Sequence, residues 1–159
     1  MGMTLMLESE PELTIPSEFP ETDGKGFLGT MFGPLVQVLE QGLGVDLAPF
    51  GHVATFTDEQ MTREDFGEEA EAMIAESRRE SELAWQTPDA FIASLEQLVQ
   101  RLEREGRKLP PAVLRRVAPD GHRRGYYQSG YFYGDTVGCL AAVRWAKEQG
   151  AQRVRFFAY

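Results

Sequence analysis

"TPDAFIASLEQLVQRLEREG", residues 87–106, decides the fold class, because its periodicity admits one reading. Phe91, Ile92, Leu95, Leu98, Val99 and Leu102 recur at intervals of three and four and trace one face of a helix. Thr87 stands where a side-chain oxygen meets the first free amides, and Pro88 suits the first helical position. Gly106, with Pro110 and Pro111 beyond it, ends the segment. A helix with so continuous a stripe needs an apolar partner, and the chain supplies two downstream. "TVGCLAAVRWAKEQ", residues 136–149, predicts a last helix capped by Asp135 and stopped by Gly150, and "QRVRFFAY", residues 152–159, alternates as a closing strand. Leu95, Leu98, Val99, Leu102, Val137, Leu140, Val143 and Val154 are therefore expected together in one core.

Upstream, "MTLMLES", residues 3–9, reads as a first strand with Leu5 and Leu7 on one face and Met6 on the other. Residues 8–25 set Pro11, Pro16 and Pro20 among acidic side chains, the composition of an acidic, proline-rich extended arm or loop. Residues 27–43 predict a helix, firmest from Pro34 onward, and the glycines of "GKGFLG" before it read as a hinge. "GHVATFT", residues 51–57, predicts a short strand with Val53 and Thr55 facing one way, Ala54 and Phe56 the other. From Asp58 to Trp85 the chain carries ten acidic residues, while Phe66, Ala70, Met73, Ile74 and Ser77 fall at helical spacing. These elements add up to an α+β fold: a single domain spanning 1–159, with several helices packed on a small mixed or antiparallel sheet.

At 159 residues and 42% hydrophobic content the chain is long enough to bury a core of its own. No apolar run approaches the roughly 18 residues of a membrane span, and the opening "MGMTLML" lacks the basic start of a secretory signal. Cys139 is the sole cysteine, so no intrachain disulfide forms. No membrane association and a cytoplasmic setting are expected. The net charge of −9 conceals a split: residues 1–100 carry 20 acidic and 4 basic side chains, residues 101–159 carry 5 and 12. Such a split points either to a charged partner or to opposite charges paired across the fold.

The motifs that would announce a reaction fail on context. "GKGFLG", residues 24–29, matches a dinucleotide fingerprint by letter, yet "PSEFPETD" stands where the buried strand should be. "YQSGY" places Tyr127 where a nucleophile elbow requires glycine. His52 and His122 are 70 positions apart, and neither belongs to a metal-ligand pattern. No spacing singles out a catalytic pair among the 25 acids. No catalytic residue, metal or cofactor is expected.

"GHRRGYYQSGYFYGDTVG", residues 121–138, remains. At period two, Tyr127, Ser129, Tyr131 and Tyr133 share one face of a strand, with Gly130 marking a bulge or a close backbone approach. Aromatics beside Arg115, Arg116, Arg123 and Arg124 resemble a surface for single-stranded nucleic acid, but a pI near 4.8 opposes a polyanion. A protein-binding role needs the fewest special residues: Glu68, Glu69 and Glu71 on the acidic helix meeting a basic partner, and Tyr127, Tyr131 and Tyr133 anchoring it. Small acidic α+β proteins that block a basic toxin, bacterial immunity proteins and inhibitors among them, are similar in general character, although no residue pattern here is diagnostic of them. The alternative is a small enzyme or anionic-ligand-binding domain using the loop from His122 to Asp135, with Arg123 and Arg124 as the anion contacts.

Overall fold

The computed structural model describes residues 5–14 and 24–158. β1 (Leu5–Glu10) is followed by α1 (Gly24–Met31), α2 (Leu35–Leu43), a 3-10 turn at Ala48–Gly51 and β2 (Ala54–Thr55). α3 (Glu59–Phe66) and α4 (Ala70–Leu83) are joined through a second 3-10 turn, Gly67–Glu69. α5 (Pro88–Arg104), α6 (Pro111–Val117), α7 (Arg124–Gln128), α8 (Tyr131–Glu148) and β3 (Arg153–Ala158) complete the order. The three strands lie in the order β1-β3-β2, with β3 antiparallel to β1 and parallel to β2. The fold is α+β, as the sequence predicts, and the small sheet is mixed.

α5 forms where its caps place it: the Thr87 hydroxyl accepts from the Ala90 amide at 3.3 Å, and Pro88 opens the first turn. Phe91, Leu95, Leu98 and Leu102 are completely buried, and α8 is the element α5 packs on most extensively. Asp89 pairs with Lys147 at 2.5 Å and Glu96 with Arg144 at 2.6 Å, while Tyr133 donates to Glu103 at 2.8 Å, so the two helices run antiparallel. Two residues of the expected core are corrected: Val99 is half-buried and Val137 exposed. α8 turns Phe132, Thr136, Cys139, Leu140 and Val143 inward, and Val137 sits about 100° round the helix from Thr136.

β3 is the centre of the sheet. Its inward residues Val154, Phe156 and Ala158 stand opposite Ser9, Leu7 and Leu5 of β1. Phe156 lies 5.0 Å edge-on from Phe91 and 5.8 Å stacked from Phe50, and Phe32 lies 5.7 Å away, so four rings tie the strand to α5 and the 3-10 turn. Aromatic pairs of this geometry contribute roughly 0.5–1.5 kcal/mol each beyond their buried area. The outward residues Arg153 and Arg155 face Glu10 and Glu8 across the same register.

Several elements differ from the sequence reading, each for a local reason. The strand at 51–57 shrinks to Ala54–Thr55, with Ala54 buried but Phe56 70% exposed. The helix over 27–43 breaks before Pro34, whose φ of −62° starts α2 afresh. Of the arm at 8–25, Glu8–Glu10 belong to β1 and Gly24–Lys25 to α1; residues 15–23 lie outside the described residues. "GKGFLG" is helical rather than a hinge. The acidic stretch is two helices, because Gly67 at φ 55° and the turn after it shift the helical phase. The face expected to run from Phe66 to Ser77 is thereby split, leaving Ala70 and Ile74 buried but Phe66 and Met73 exposed. α6, absent from the sequence reading, starts at Pro111 and buries Val113, Leu114 and Val117.

α2 and α6 approach closely enough that a Cβ on Gly42 would stand 2.5 Å from Val113 Cγ2. In an open helix, Gly→Ala gains roughly 1 kcal/mol, but overpacking costs about 1–3 kcal/mol. Gly42→Ala is therefore expected to destabilise the protein in urea titrations, and the same change in a Val113→Ala background is expected to be neutral or stabilising. Equal effects in both backgrounds would show that the two helices do not meet there.

Candidate functional site

The tyrosine-rich stretch is helical, which corrects the strand reading and the ridge built on it. α7 ends at Gln128, Gly130 adopts φ 83°, and α8 begins at Tyr131. Glycine takes that left-handed conformation without a Cβ clash, so it is a helix-to-helix corner rather than a bulge. Tyr127 is 3% exposed, and its hydroxyl meets Thr30 Oγ1 at 2.8 Å. Thr30 gives its one proton to the Gly26 carbonyl at 2.7 Å, so Tyr127 donates to Thr30. The Tyr126 ring covers Gly26, where a Cβ would stand 3.1 Å from it, and its hydroxyl donates to Asp135 at 2.6 Å. Phe132 contacts Phe27, Tyr126 and Tyr127 with centroids 5.6–6.1 Å apart. These aromatics fasten α1 to α7 and α8, so Tyr127 is a core residue and not a docking one.

Asp135 lies inside α8 rather than capping it, because the helix begins a turn earlier. His122, Arg123 and Arg124 are exposed, and Arg123 donates to the Lys25 carbonyl at 3.5 Å. The structure thus places Asp135 against Tyr126, while the two arginines lie at the surface. Tyr131 is 66% exposed. Tyr133 is half-buried beneath Arg107, whose guanidinium lies 5.0 Å from the ring centroid.

Charge separates more sharply than the totals suggest. Arg153 grips Glu10 through Nε and Nη2 at 2.5 and 3.0 Å and reaches Glu82 at 3.2 Å, and Arg155 holds Glu8 at 2.6 Å. Both guanidiniums stack on Trp85, 4.6 and 4.4 Å from its ring centroid. Arg153 holds the Glu10 carboxyl below its ordinary range. A shallow cleft of about 720 Å³ opens here beside Glu10, Trp85, Gln86 and Arg153, its charged groups already engaged with one another. With the two α5–α8 pairs, these contacts draw acids of the N-terminal part onto bases of the last third.

The α3–α4 hairpin keeps its surplus. Arg63 pairs with Glu71 at 2.6 Å, which holds that carboxyl below its ordinary range, and Arg78 pairs with Glu59. Asp65, Glu68 and Glu69 make no ion pair among the described residues, and Glu64 is met by the neutral Gln60 amide. The sequence reading put Phe66 and Met73 on an apolar helix face and did not single out Met61, whereas Met61, Phe66 and Met73 are 57%, 49% and 43% exposed. The signal available was a short helix of low mean hydropathy that nonetheless carries Met61 and Phe66. α4 packs against β2, whereas α8, which carries Tyr131 and Tyr133, contacts β1 at the other edge of the sheet. Among the described residues, no three His, Cys, Asp or Glu side chains stand where they could hold a metal ion, and no helix is long and apolar enough to cross a membrane. No family model, curated protein or solved structure matches the chain.

Burial first, and the Asp135 carboxylate second, push the Tyr126 phenol above its ordinary 10.0, and burial raises the Cys139 thiol above 9.0. The unfolded chain releases these protons from about pH 9 and pH 10 while the folded chain retains them, so stability falls as pH rises past those values. Melting temperatures between about pH 7 and pH 11 are expected to show this decline, and Tyr126→Phe is expected to flatten the part above pH 10. Identical alkaline slopes in both proteins would show that the phenol is not held protonated.

Proposed function

We propose that the chain is a non-enzymatic protein-binding domain whose partner is a basic protein. One observation carries this reading: the unneutralised acids Glu68 and Glu69 stand at the tip of a hairpin that contributes only Ala70 and Ile74 to the buried residues. Acidic side chains that stabilise nothing inside the fold still act on what approaches it. They raise encounter rates with a cationic surface and repel polyanions. Neutralisation of a basic toxin is the form of this role that the charge suits, with a reducing cytoplasm as its setting because Cys139 is buried and unpaired. Tyr131, exposed on α8, is available to a partner reaching across to that side. The His122 to Asp135 segment is the less favoured site, since Asp135 is engaged by Tyr126.

The reading is tested with Glu68→Lys combined with Glu69→Lys, leaving Glu71 intact because it holds Arg63. Proteins retained by the immobilised chain from extracts of its own cells are identified by mass spectrometry, and the recovered partner is measured against both forms. Association is expected to slow several-fold and lose much of its salt dependence, with the melting temperature lowered only by the small loss of favourable charge at the N-terminus of α4. A markedly lower melting temperature with unaltered kinetics would assign these acids to the fold, and recovery of RNA or DNA instead of protein would overturn the proposal.

A further inference from the structure

Each methionine of the hairpin is framed by acids at helical spacing. In α3, Met61 lies one turn from Glu64 and Asp65. In α4, Met73 lies one turn from Glu76, and Glu69, at the cap position, stands four residues before it. Phe66 closes α3 directly before the turn that presents Glu68 and Glu69. α3 buries no residue at all, so its apolar side chains are not spent on the core. Three large apolar groups therefore stand in water beside carboxylates of which Glu76 meets Arg79 at 3.9 Å, while Glu64, Asp65, Glu68 and Glu69 meet no base among the described residues.

Exposed Met and Phe cost hydrophobic stabilisation in the free protein, and charge alone does not require them. Methionine is unbranched and polarizable and adapts to irregular apolar partners, and with aromatics it is enriched where proteins meet. The surrounding carboxylates specify what else the partner carries. A strand rich in apolar groups would leave them unpaired, and an acidic segment would be repelled. A helix with an apolar stripe bordered by Lys and Arg satisfies both demands, its stripe covering the methionines and Phe66 while its flanks meet Glu64, Asp65, Glu68, Glu69 and Glu76. We infer that the α3–α4 hairpin docks a cationic amphipathic helix, with Met61, Phe66 and Met73 as the apolar anchors. This rests on the protein-binding reading and adds to it the conformation and patterning of the bound segment.

The test uses an 18-residue synthetic peptide of leucine and lysine arranged as an amphipathic helix, and a permuted peptide of identical composition with no apolar face. Affinities are measured calorimetrically at 0.15 M salt against the full chain, against Met61→Gln/Phe66→Gln/Met73→Gln, and against Glu68→Lys/Glu69→Lys. Glutamine keeps length and helix propensity at the methionine sites, and melting temperatures confirm that each variant is folded. The wild type is expected to bind the patterned peptide at least tenfold more tightly than the permuted one. The triple variant is expected to lose that preference while retaining weak, salt-sensitive binding to both, and the charge variant to bind both more weakly. Equal affinity of the wild type for the two peptides would overturn the amphipathic helix and leave the basic-partner reading standing. A preference that survives the triple variant would place the peptide elsewhere and overturn the anchors. Binding of neither peptide would overturn this inference and the electrostatic reading beneath it.

Discussion

The parity of the last strand is the constraint on which the rest of the molecule depends. With Val154, Phe156 and Ala158 inward, β3 delivers Phe156 to Phe32, Phe50 and Phe91, and sets Leu5 and Leu7 against the core. The same parity sends Arg153 and Arg155 outward onto Trp85, Glu8 and Glu10. A slip of one residue would put two guanidiniums among phenylalanines and expose the aromatic cluster to water. β3 also holds chain segments far apart in sequence: β1, β2 and, through Val154, the backbone of Gln86 at the approach to α5. One strand therefore fixes both the apolar interior and the outer ionic layer.

Where a segment's own pattern admits one interpretation, the fold was legible in the sequence. α5 carried its cap, its proline and its stripe in one stretch, β3 alternates in burial over its six residues, and β1 alternates over Leu5, Met6 and Leu7. The tyrosine-rich stretch was illegible because aromatics favour strands and Tyr127, Tyr131 and Tyr133 alternate, while the decisive information lay further on. Phe132, Thr136, Cys139, Leu140 and Val143 continue at helical spacing, and α1 supplies Gly26 and Thr30 as the partners of Tyr126 and Tyr127. A partner nearly a hundred residues away cannot be read from local pattern. α6 was missed for a related reason, since the two prolines that end one segment also begin the next. Of the candidate site, the acids were legible as a charge run; the break at Gly67 separates Phe66 from the face of Ala70 and Ile74, and α3 buries no residue, neither of which the periodicity displays.

The charge split resolves into two populations with different physical roles. Arg144, Lys147, Arg153 and Arg155 meet acids of β1, α4 and α5, pairing the halves of the sequence face to face. Such exposed pairs are worth about 0–1 kcal/mol each, so they orient packed elements more than they stabilise them. Asp65, Glu68 and Glu69 have no such counterpart, and Arg115, Arg116 and Arg124 are equally without one among the described residues. Among the described residues the fold thus keeps an acidic surplus on the hairpin and a basic one around α6 and α7.

The hairpin's attachment explains how a surface can carry such a surplus without unfolding the domain. It buries Ala70 and Ile74 and joins the sheet through polar contacts: His52 Nδ1 to Glu80 at 2.6 Å, Thr57 to Ser77 at 2.6 Å, the Thr55 amide to Ser81 at 3.4 Å, Arg155 to the Ser81 carbonyl at 2.7 Å and Arg153 to Glu82 at 3.2 Å. Half-exposed hydrogen bonds of this kind contribute little net free energy, whereas α5 is held by four completely buried apolar side chains. Opening the hairpin therefore exposes far less apolar surface than opening α5 from α8, and it is the element whose local release costs less. Repulsion among its carboxylates weakens only this loosely held unit, leaving the aromatic cluster and β3 undisturbed. A docking partner that covered Met61, Phe66 and Met73 and neutralised their acidic frame would stabilise the hairpin where the fold itself does not.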